Sequence, residues 1–236
     1  MTEENAQHAD TEAPRQSEPQ PEPLSPAAIP EDGSAAMFAV AREHAERNEL
    51  PAAVAAYRQL LTKFPNNVRA RNNLALLLEK RGDVDGALEE LNKALELEPD
   101  NVSVLCNRAA LYSTKLKYDA AEADLRRALR ADERNAEAWL SLGVVFSRRG
   151  RWREAVEPLS RAIELEPATG AAHYYLGEAF NHVDNLPAAL SAYEQATALT
   201  PSNWRAHKGI GIILDRMGRP AEAALAYQKA REAQRR

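Results

Sequence analysis

The sequence is poor in residues on which several protein classes depend. Cys106 is its one cysteine among 236 residues, which excludes an intramolecular disulfide and a cysteine-rich zinc site. Aromatic residues make up 6% of the chain, and 10 glycines stand against 45 alanines, a composition that favours helices over a β-sandwich. No apolar run approaches the roughly 20 residues of a membrane-spanning helix. The first residues, MTEENAQHAD, lack the basic and apolar regions of a secretory signal, so we expect a cytoplasmic protein without membrane insertion.

The first 33 residues differ from the rest of the chain. They hold six of the 14 prolines and eight acidic residues against one basic residue, a net charge of −7, whereas the remainder carries +2. Such a segment cannot bury enough apolar surface to offset chain entropy, so residues 1–33 are predicted to be a disordered tail. We interpret it as a solubilising leader. The alternative is an interaction arm that makes contact through Leu24 and Ile29.

From residue 34 onward the sequence repeats itself. Prolines recur on a 34-residue spacing at Pro65, Pro99, Pro167 and Pro201. The spacing predicts one more proline at position 133, where the sequence has Glu133. Self-similarity at this period indicates a solenoid of stacked helix pairs. The predicted units are 34–67, 68–101, 102–135, 136–169, 170–203 and 204–236. Below, slots 1 to 34 denote positions within each unit.

Small and large residues occupy fixed slots. Slots 8, 20 and 27 hold Ala or Gly in 17 of 18 cases, which predicts close crossings of helices. Large residues in slots 7, 11 and 24 form one apolar stripe on each helix. Glycines such as Gly82 and Gly150 are expected to end the first helices, and Asp83 and Asn185 to cap the second helices. The expected caps of the first helices are Asn67, Asn101, Asn135, Thr169 and Asn203.

Three residues depart from this pattern. Arg108 occupies an apolar slot, where we expect its stem to lie on the core and its charged head to stay in water. Pro158 lies inside a second helix and is expected to bend it. In the last unit Arg231 replaces the apolar residue of slot 28, which suggests that the array ends there.

The repeating unit resembles the tetratricopeptide repeat, with pattern W-x2-L-G-x2-Y, A-x3-F, A and P. The segment WLSLGVVF (139–146), followed by Ala155, Leu159, Ala162 and Pro167, is the best copy. The resemblance covers residues 34–236. It implies an all-α fold, an α-solenoid of six helix-turn-helix repeats wound into a right-handed superhelix. It also implies a concave groove, lined by the first helix of each unit, that binds a peptide or protein segment.

Family resemblance also indicates which slots face the groove: 2, 5, 6, 9, 12 and 13. Asn73 and Asn107, with Ser141 as a third member, resemble the asparagine ladder in the repeat arm of O-linked N-acetylglucosamine transferases. An Asn amide both donates and accepts, so it can hold a peptide backbone without reading its sequence. The clamp for chaperone C-termini is rejected, because only Asn73 matches it. The candidate groove residues are Arg42, Asn72, Asn73, Asn107, Ser141, Tyr174, Tyr175, Glu178, Asn181, Arg205 and Lys208.

Residues that could perform catalysis or bind a cofactor are not apparent. His173 and His207 are 34 residues apart, so helix spacing of roughly 8–10 Å keeps them from sharing a metal, and they are interpreted as packing residues. Cys106 is predicted to be an inert thiol facing the groove. The sequence has no phosphate-binding loop, no H-E-x-x-H and no G-x-S-x-G motif. We therefore expect no catalytic, cofactor or metal site.

One basic cluster surrounds Gly150: Arg148, Arg149, Arg151 and Arg153. We interpret it as a solvated turn, with an acidic partner or the acidic tail of this chain as alternatives. A charge of +2 over the array argues against nucleic acid as a partner.

Together these features predict a non-enzymatic scaffold or adaptor that binds a protein partner in its groove. The alternative is an accessory module that brings substrates to an enzyme, such as a glycosyltransferase, or to a secretion machine.

Overall fold

Each predicted unit folds into two helices separated by a tight turn. The computed structural model describes residues 33–235, and within that range it contains twelve helices and no strand. The predicted all-α solenoid is confirmed, whereas the predicted tail lies almost entirely outside the described residues. The helices are α1 (Ser34–Glu46), α2 (Leu50–Lys63), α3 (Val68–Lys80), α4 (Val84–Leu97), α5 (Val102–Thr114), α6 (Tyr118–Ala131), α7 (Ala136–Arg148), α8 (Trp152–Leu165), α9 (Gly170–His182), α10 (Leu186–Leu199), α11 (Trp204–Arg216) and α12 (Pro220–Arg235).

Contacts between helices show how the array curves. Every helix packs on the next helix along the chain. In addition α3 packs on α5, α5 on α7, α7 on α9 and α9 on α11, and no contact of comparable extent joins two second helices. The first helices are therefore closer to one another and form the inner, concave wall, whereas the second helices form the outer wall.

Small residues mark the points where helices cross. Tyr193, on α10, inserts its ring between α9 and α11. A Cβ added at Gly177 would lie 2.7 Å from Tyr193 Cδ1, and one added at Gly209 would lie 2.6 Å from its Cζ. Any side chain at these two glycines would overlap the Tyr193 ring. Because the ring is buried and closely packed, it has little room to shift away. The packing interpretation of the glycines in these helices is thus confirmed.

Asparagine side chains cap the first helices. The Oδ1 atoms of Asn67, Asn101, Asn135 and Asn203 accept from the backbone N–H three residues later at 2.9–3.1 Å, as predicted. The prediction for Thr169 was wrong. Its hydroxyl makes no cap bond and lies 3.4 Å from Glu166 Oε2 instead.

Turns between paired helices use the left-handed backbone region. Gly82, Gly150 and Gly218 have φ values of 84°, 73° and 74°, as their place after the first helix predicted. Leu116 takes the same turn with φ of 59°, a conformation in which its Cβ is strained. Asp83 Oδ1 caps α4 through Gly86 N–H at 2.9 Å, as predicted.

In four of the six first helices, the side chain in slot 4 bonds to the loop before the helix. Trp139 Nε1 donates to Glu133 O at 2.8 Å, and Arg71 donates through Nη2 to Pro65 O at 2.7 Å. His173 and His207 place Nε2 3.0 Å from Pro167 O and Pro201 O. The two histidines are therefore more than packing residues. Each lies within hydrogen-bond distance of the carbonyl of the proline that follows the preceding helix.

Arg108 does not keep its charged head in water, contrary to the prediction. Its Nε and Nη2 atoms donate to both oxygens of Asp124 at 2.8 and 2.7 Å, and its Nη1 donates to Asn92 Oδ1 at 2.9 Å. Bidentate geometry of this kind is the strong form of the ion pair. The pair joins α5 to α6 across the apolar stripe.

At Pro158, α8 continues from Trp152 to Leu165 without interruption.

Candidate groove on the concave face

Three asparagines lie on the first helices of the second and third units, and two of them are hydrogen-bonded to each other. Asn107 Nδ2, on α5, donates to Asn72 Oδ1, on α3, at 2.8 Å. Asn73 Nδ2 donates to Tyr57 Oη at 3.0 Å. Each bond uses only part of an amide. Among the described residues no bond occupies Asn107 Oδ1 or Asn72 Nδ2. The amides are thus held in place by their neighbours and retain capacity for a ligand.

A cavity of about 280 Å³ lies beside these asparagines. Asn72 and Asn73 line it together with Arg69 and Ser103, two residues that the sequence analysis left out. The Arg69 guanidinium lies 4.8 Å from the centre of the Phe38 ring, a cation–π contact that holds the charge at the edge of the groove. Slot 2 was already expected to face the groove, so the pattern could have identified both residues.

Apolar residues occupy slot 9 in four of the six first helices. Leu76 is 42% exposed, and Ile212 is exposed as well. Between them along the array come Ala110, which is exposed, Val144, which is half-buried, and the charged Glu178. This slot 9 row passes the linked asparagines of α3 and α5.

Aromatic residues dominate the groove near its far end. Tyr174 and Tyr175 pack edge to face with ring centres 5.2 Å apart. Tyr174 Oη donates to Glu178 Oε1 at 2.6 Å, and its ring packs against Tyr193. Burial, followed by the Glu178 carboxylate, raises the pKa of Tyr174, so this hydroxyl stays protonated. One oxygen of the half-buried Glu178 carboxylate is therefore occupied by the Tyr174 hydroxyl.

The remaining predicted groove residues are scattered. Asn181 Oδ1 accepts a bond from Arg216, a contact that engages its side chain. Arg42 pairs with Glu46 at 3.1 Å on the surface of α1. Ser141 is half-buried on α7, between the asparagines of α3 and α5 and the tyrosines of α9, and its side chain makes no hydrogen bond among the described residues.

Two exposed cations stand on α11. The Arg205 guanidinium lies 5.2 Å from the Trp204 ring centre, and Lys208 is exposed. The structure therefore brings the predicted residues together as two groups, one on α3 and α5 and one on α9, with α11 beside it.

The described residues give little evidence for a nucleophilic cysteine or a metal-binding site on the concave face. Cys106 is buried, and burial raises the pKa of its thiol to about 12, so the thiolate is scarce at neutral pH. Within residues 33–235 no three His, Cys, Asp or Glu side chains come together as a metal-binding group.

Two of the four arginines in the basic cluster around Gly150 are paired with acidic residues of the chain, and the cluster lies on an exposed turn. Arg149 pairs with Asp119 at 2.6 Å, and Arg151 pairs with Glu122 at 2.7 Å. Arg151 also lies over the Phe146 ring at 4.6 Å. Arg148 and Arg153 are exposed and remain the two members without an ion pair among the described residues.

Comparison with solved structures shows related arrays. MamA is 28% identical with a TM-score of 0.64, over 69% of this chain and 95% of that one. YrrB, described as a TPR protein with an unusual peptide-binding site, is 24% identical with a TM-score of 0.64, over 76% of this chain and 92% of that one. A tetratricopeptide repeat protein from Parabacteroides merdae is 18% identical with a TM-score of 0.71, over 85% and 79%. A comparison with curated proteins found no match.

Sequence models of one family cover nearly all of the array. A model described as tetratricopeptide repeat matches residues 38–102, 107–162, 145–190 and 183–235, and a second model of that description matches 90–123. None of the helices between residues 33 and 235 has the length and apolar content that a membrane crossing requires. The matches extend over more than half of the chain, and the six helix pairs have the helix-turn-helix architecture of that repeat. The chain therefore belongs to the tetratricopeptide repeat family.

Proposed function

We propose that this protein is a non-enzymatic scaffold that binds an extended segment of a partner protein along the concave wall. The observation that carries the proposal is the exposed Leu76 on the same helix as Asn72 and Asn73, whose neighbour Asn107 is bonded to Asn72. An extended peptide presents backbone amides and side chains alternately. Asn72, Asn73 and Asn107 are placed to hold the backbone, while Leu76 offers an apolar contact for the side chains. Family membership supports the broader role of a protein-interaction scaffold.

The energetics favour the α3–α5 half of the groove over the tyrosine half. Asn107 and Asn72 already hold one another, so a ligand finds them oriented and loses less side-chain entropy on binding. In the far half, the polar atoms of Tyr174 and Glu178 are bonded to each other. That bond uses the one proton that the Tyr174 hydroxyl can donate, so a ligand would have to break it to receive a hydrogen bond from Tyr174. We therefore expect Tyr175, Arg205 and Lys208 to contribute at the margin of the binding surface.

A pull-down tests this assignment. The intact protein is compared with a variant carrying Asn73→Ala, Asn107→Ala and Tyr175→Ala, and with a control carrying Glu96→Ala and Gln195→Ala on second helices. We expect the groove variant to lose partners that the control retains. Circular dichroism must show that all three proteins have the same helix content. If the groove variant retains every partner of the intact protein, the groove is not the binding surface.

A further inference from the structure

The first end of the array exposes an apolar face. The leucines that fill slot 7 in later units are buried: Leu74, Leu142 and Leu176 are 2, 5 and 9% exposed, because the second helix of the preceding unit covers them. Val40 fills the same slot on α1 and is 51% exposed. No helix among the described residues precedes α1, so nothing described covers this side chain.

Val40 is part of a shallow pocket rather than an isolated residue. The pocket has a volume of about 230 Å³ and is lined by Ala36, Met37, Val40, Ala56 and Gln59. None of the five carries a charge, and four are apolar. Terminal units of solenoids normally turn a polar face to water.

The opposite end of the array follows that rule. Slot 28 faces the next unit, and Leu95 and Leu129 are buried there. In the last unit the same slot holds Arg231, which is exposed. The charged Arg231 is well solvated at the C-terminal end of the array, whereas Val40 at the N-terminal end exposes apolar surface to water.

We propose that residues 24–32 of this same chain cover the first end and place Ile29 against Met37 and Val40. The chain reaches α1 through Gly33, beside this pocket. Three residues lie between Ile29 and Gly33, so the four steps from one to the other reach about 13 Å when extended. Val40 lies seven residues into α1, about 10 Å along the helix axis. The segment is therefore long enough to fold back over the pocket.

The sequence of this segment follows the repeat. Residues 29–33 read IPEDG, and residues 97–101, which lead into α5, read LEPDN. Ile29 stands two periods before Leu97, in slot 30, where Leu165 and Leu199 also stand. Because Leu97 and Leu199 are each 41% exposed, a contact of Ile29 with Met37 and Val40 would be particular to the N-terminal end of the array. Ile29 and Leu24 are the large aliphatic residues of a tail otherwise rich in acids and prolines. The apolar part of the tail is thus the part next to the apolar face.

Methionine NMR of the full chain tests the proposal directly. The chain has three methionines, so ¹³C-methyl labelling gives signals for Met1, Met37 and Met217. We expect Ile29→Ala to move the Met37 signal by more than its line width and to leave Met217, which lies after α11 at the far end, unchanged. Gln16→Ala is the matched tail control and should move neither signal. A Met37 signal that is the same in Ile29→Ala and in the intact protein would overturn the proposal.

Two further measurements separate the tail from other occupants. In a double-mutant cycle, Ile29→Ala should lower the urea midpoint in the intact background but not in Val40→Ala, because the contact is already lost. Equal effects in both backgrounds would count against the contact. Sedimentation velocity over a range of concentrations should show no association through this face. A dimer that Val40→Asp abolishes would mean that a second copy, not the tail, covers the pocket.

Discussion

The Arg108–Asp124 pair gives the sharpest stability prediction. Asp124→Ala removes both carboxylate oxygens from a guanidinium whose side chain is only 18% exposed, and leaves it with Asn92 as a weaker acceptor. Breaking a buried ion pair by removing one partner costs about 3–5 kcal/mol. The remaining exposure lets water relieve part of that cost, so we expect about 3 kcal/mol, at the lower end.

Other units of the array supply the compensating substitution. The slots of Arg108 and Asp124 hold Leu176 and Ala192 in the fifth unit. The double variant Arg108→Leu with Asp124→Ala therefore copies an arrangement that this array already packs. Replacing a buried ion pair by apolar residues is often neutral or stabilising. We expect the double variant to lie within about 1 kcal/mol of the intact protein.

Urea unfolding followed by circular dichroism at neutral pH measures both effects. The single variant should unfold at a lower urea concentration than the intact protein, and the double variant should recover most of the loss. The reasoning would be refuted if Asp124→Ala had no effect, or if the double variant were as unstable as the single one. The second result would mean that shape, not charge, sets the cost at this site.

Three further predictions follow from single contacts. Asn135→Ala should lower the free energy of unfolding by about 1 kcal/mol through loss of the cap, whereas Thr169→Ala, which loses no cap bond, should change it little in the same urea assay. Gly209→Ala should lower the thermal midpoint, because overpacking against the Tyr193 ring costs about 1–3 kcal/mol and a better helix propensity returns only about 1 kcal/mol. Tyr193→Ala should remove the penalty for the added methyl, and an equal penalty in both backgrounds would contradict the packing argument. Cys106 should react with a disulfide reagent at pH 8 more than a hundredfold slower than free cysteine, since its pKa of about 12 leaves little thiolate, and stability should fall as pH rises from about 9 towards 12 because the unfolded thiol ionises first. If Cys106 in the folded protein reacted with the reagent as fast as it does in the urea-unfolded protein, this prediction would be refuted.

Periodicity made most of the fold predictable. The asparagine caps, the positive-φ glycines and the small residues at helix crossings each follow from one residue type at one slot. Such features depend on backbone geometry that every unit repeats. Thr169 failed because its hydroxyl, unlike an Asn amide, turns towards Glu166 rather than the helix N-terminus.

Contacts between different slots were harder to predict. The Arg108–Asp124 pair joins slots 7 and 23, and the Asn72–Asn107 bond joins slot 5 of one unit to slot 6 of the next. A 34-residue period indicates which residues are equivalent, but not which unlike slots touch. Tyr174 shows the same limit: its slot faces the groove, yet its hydroxyl is bonded to Glu178.

The affinity of a groove ligand tests the central claim most directly. Peptides are selected on the immobilised intact protein from a random library, and their dissociation constants are measured by fluorescence anisotropy. Burying a leucine side chain is worth about 1.5–3 kcal/mol, so Leu76→Asp should weaken binding at least about tenfold. Leu225→Asp changes a leucine that is 61% exposed on the second helix α12 and should leave the constant within about twofold. Equal binding by the intact protein and Leu76→Asp would contradict the assignment of the concave wall as the binding surface.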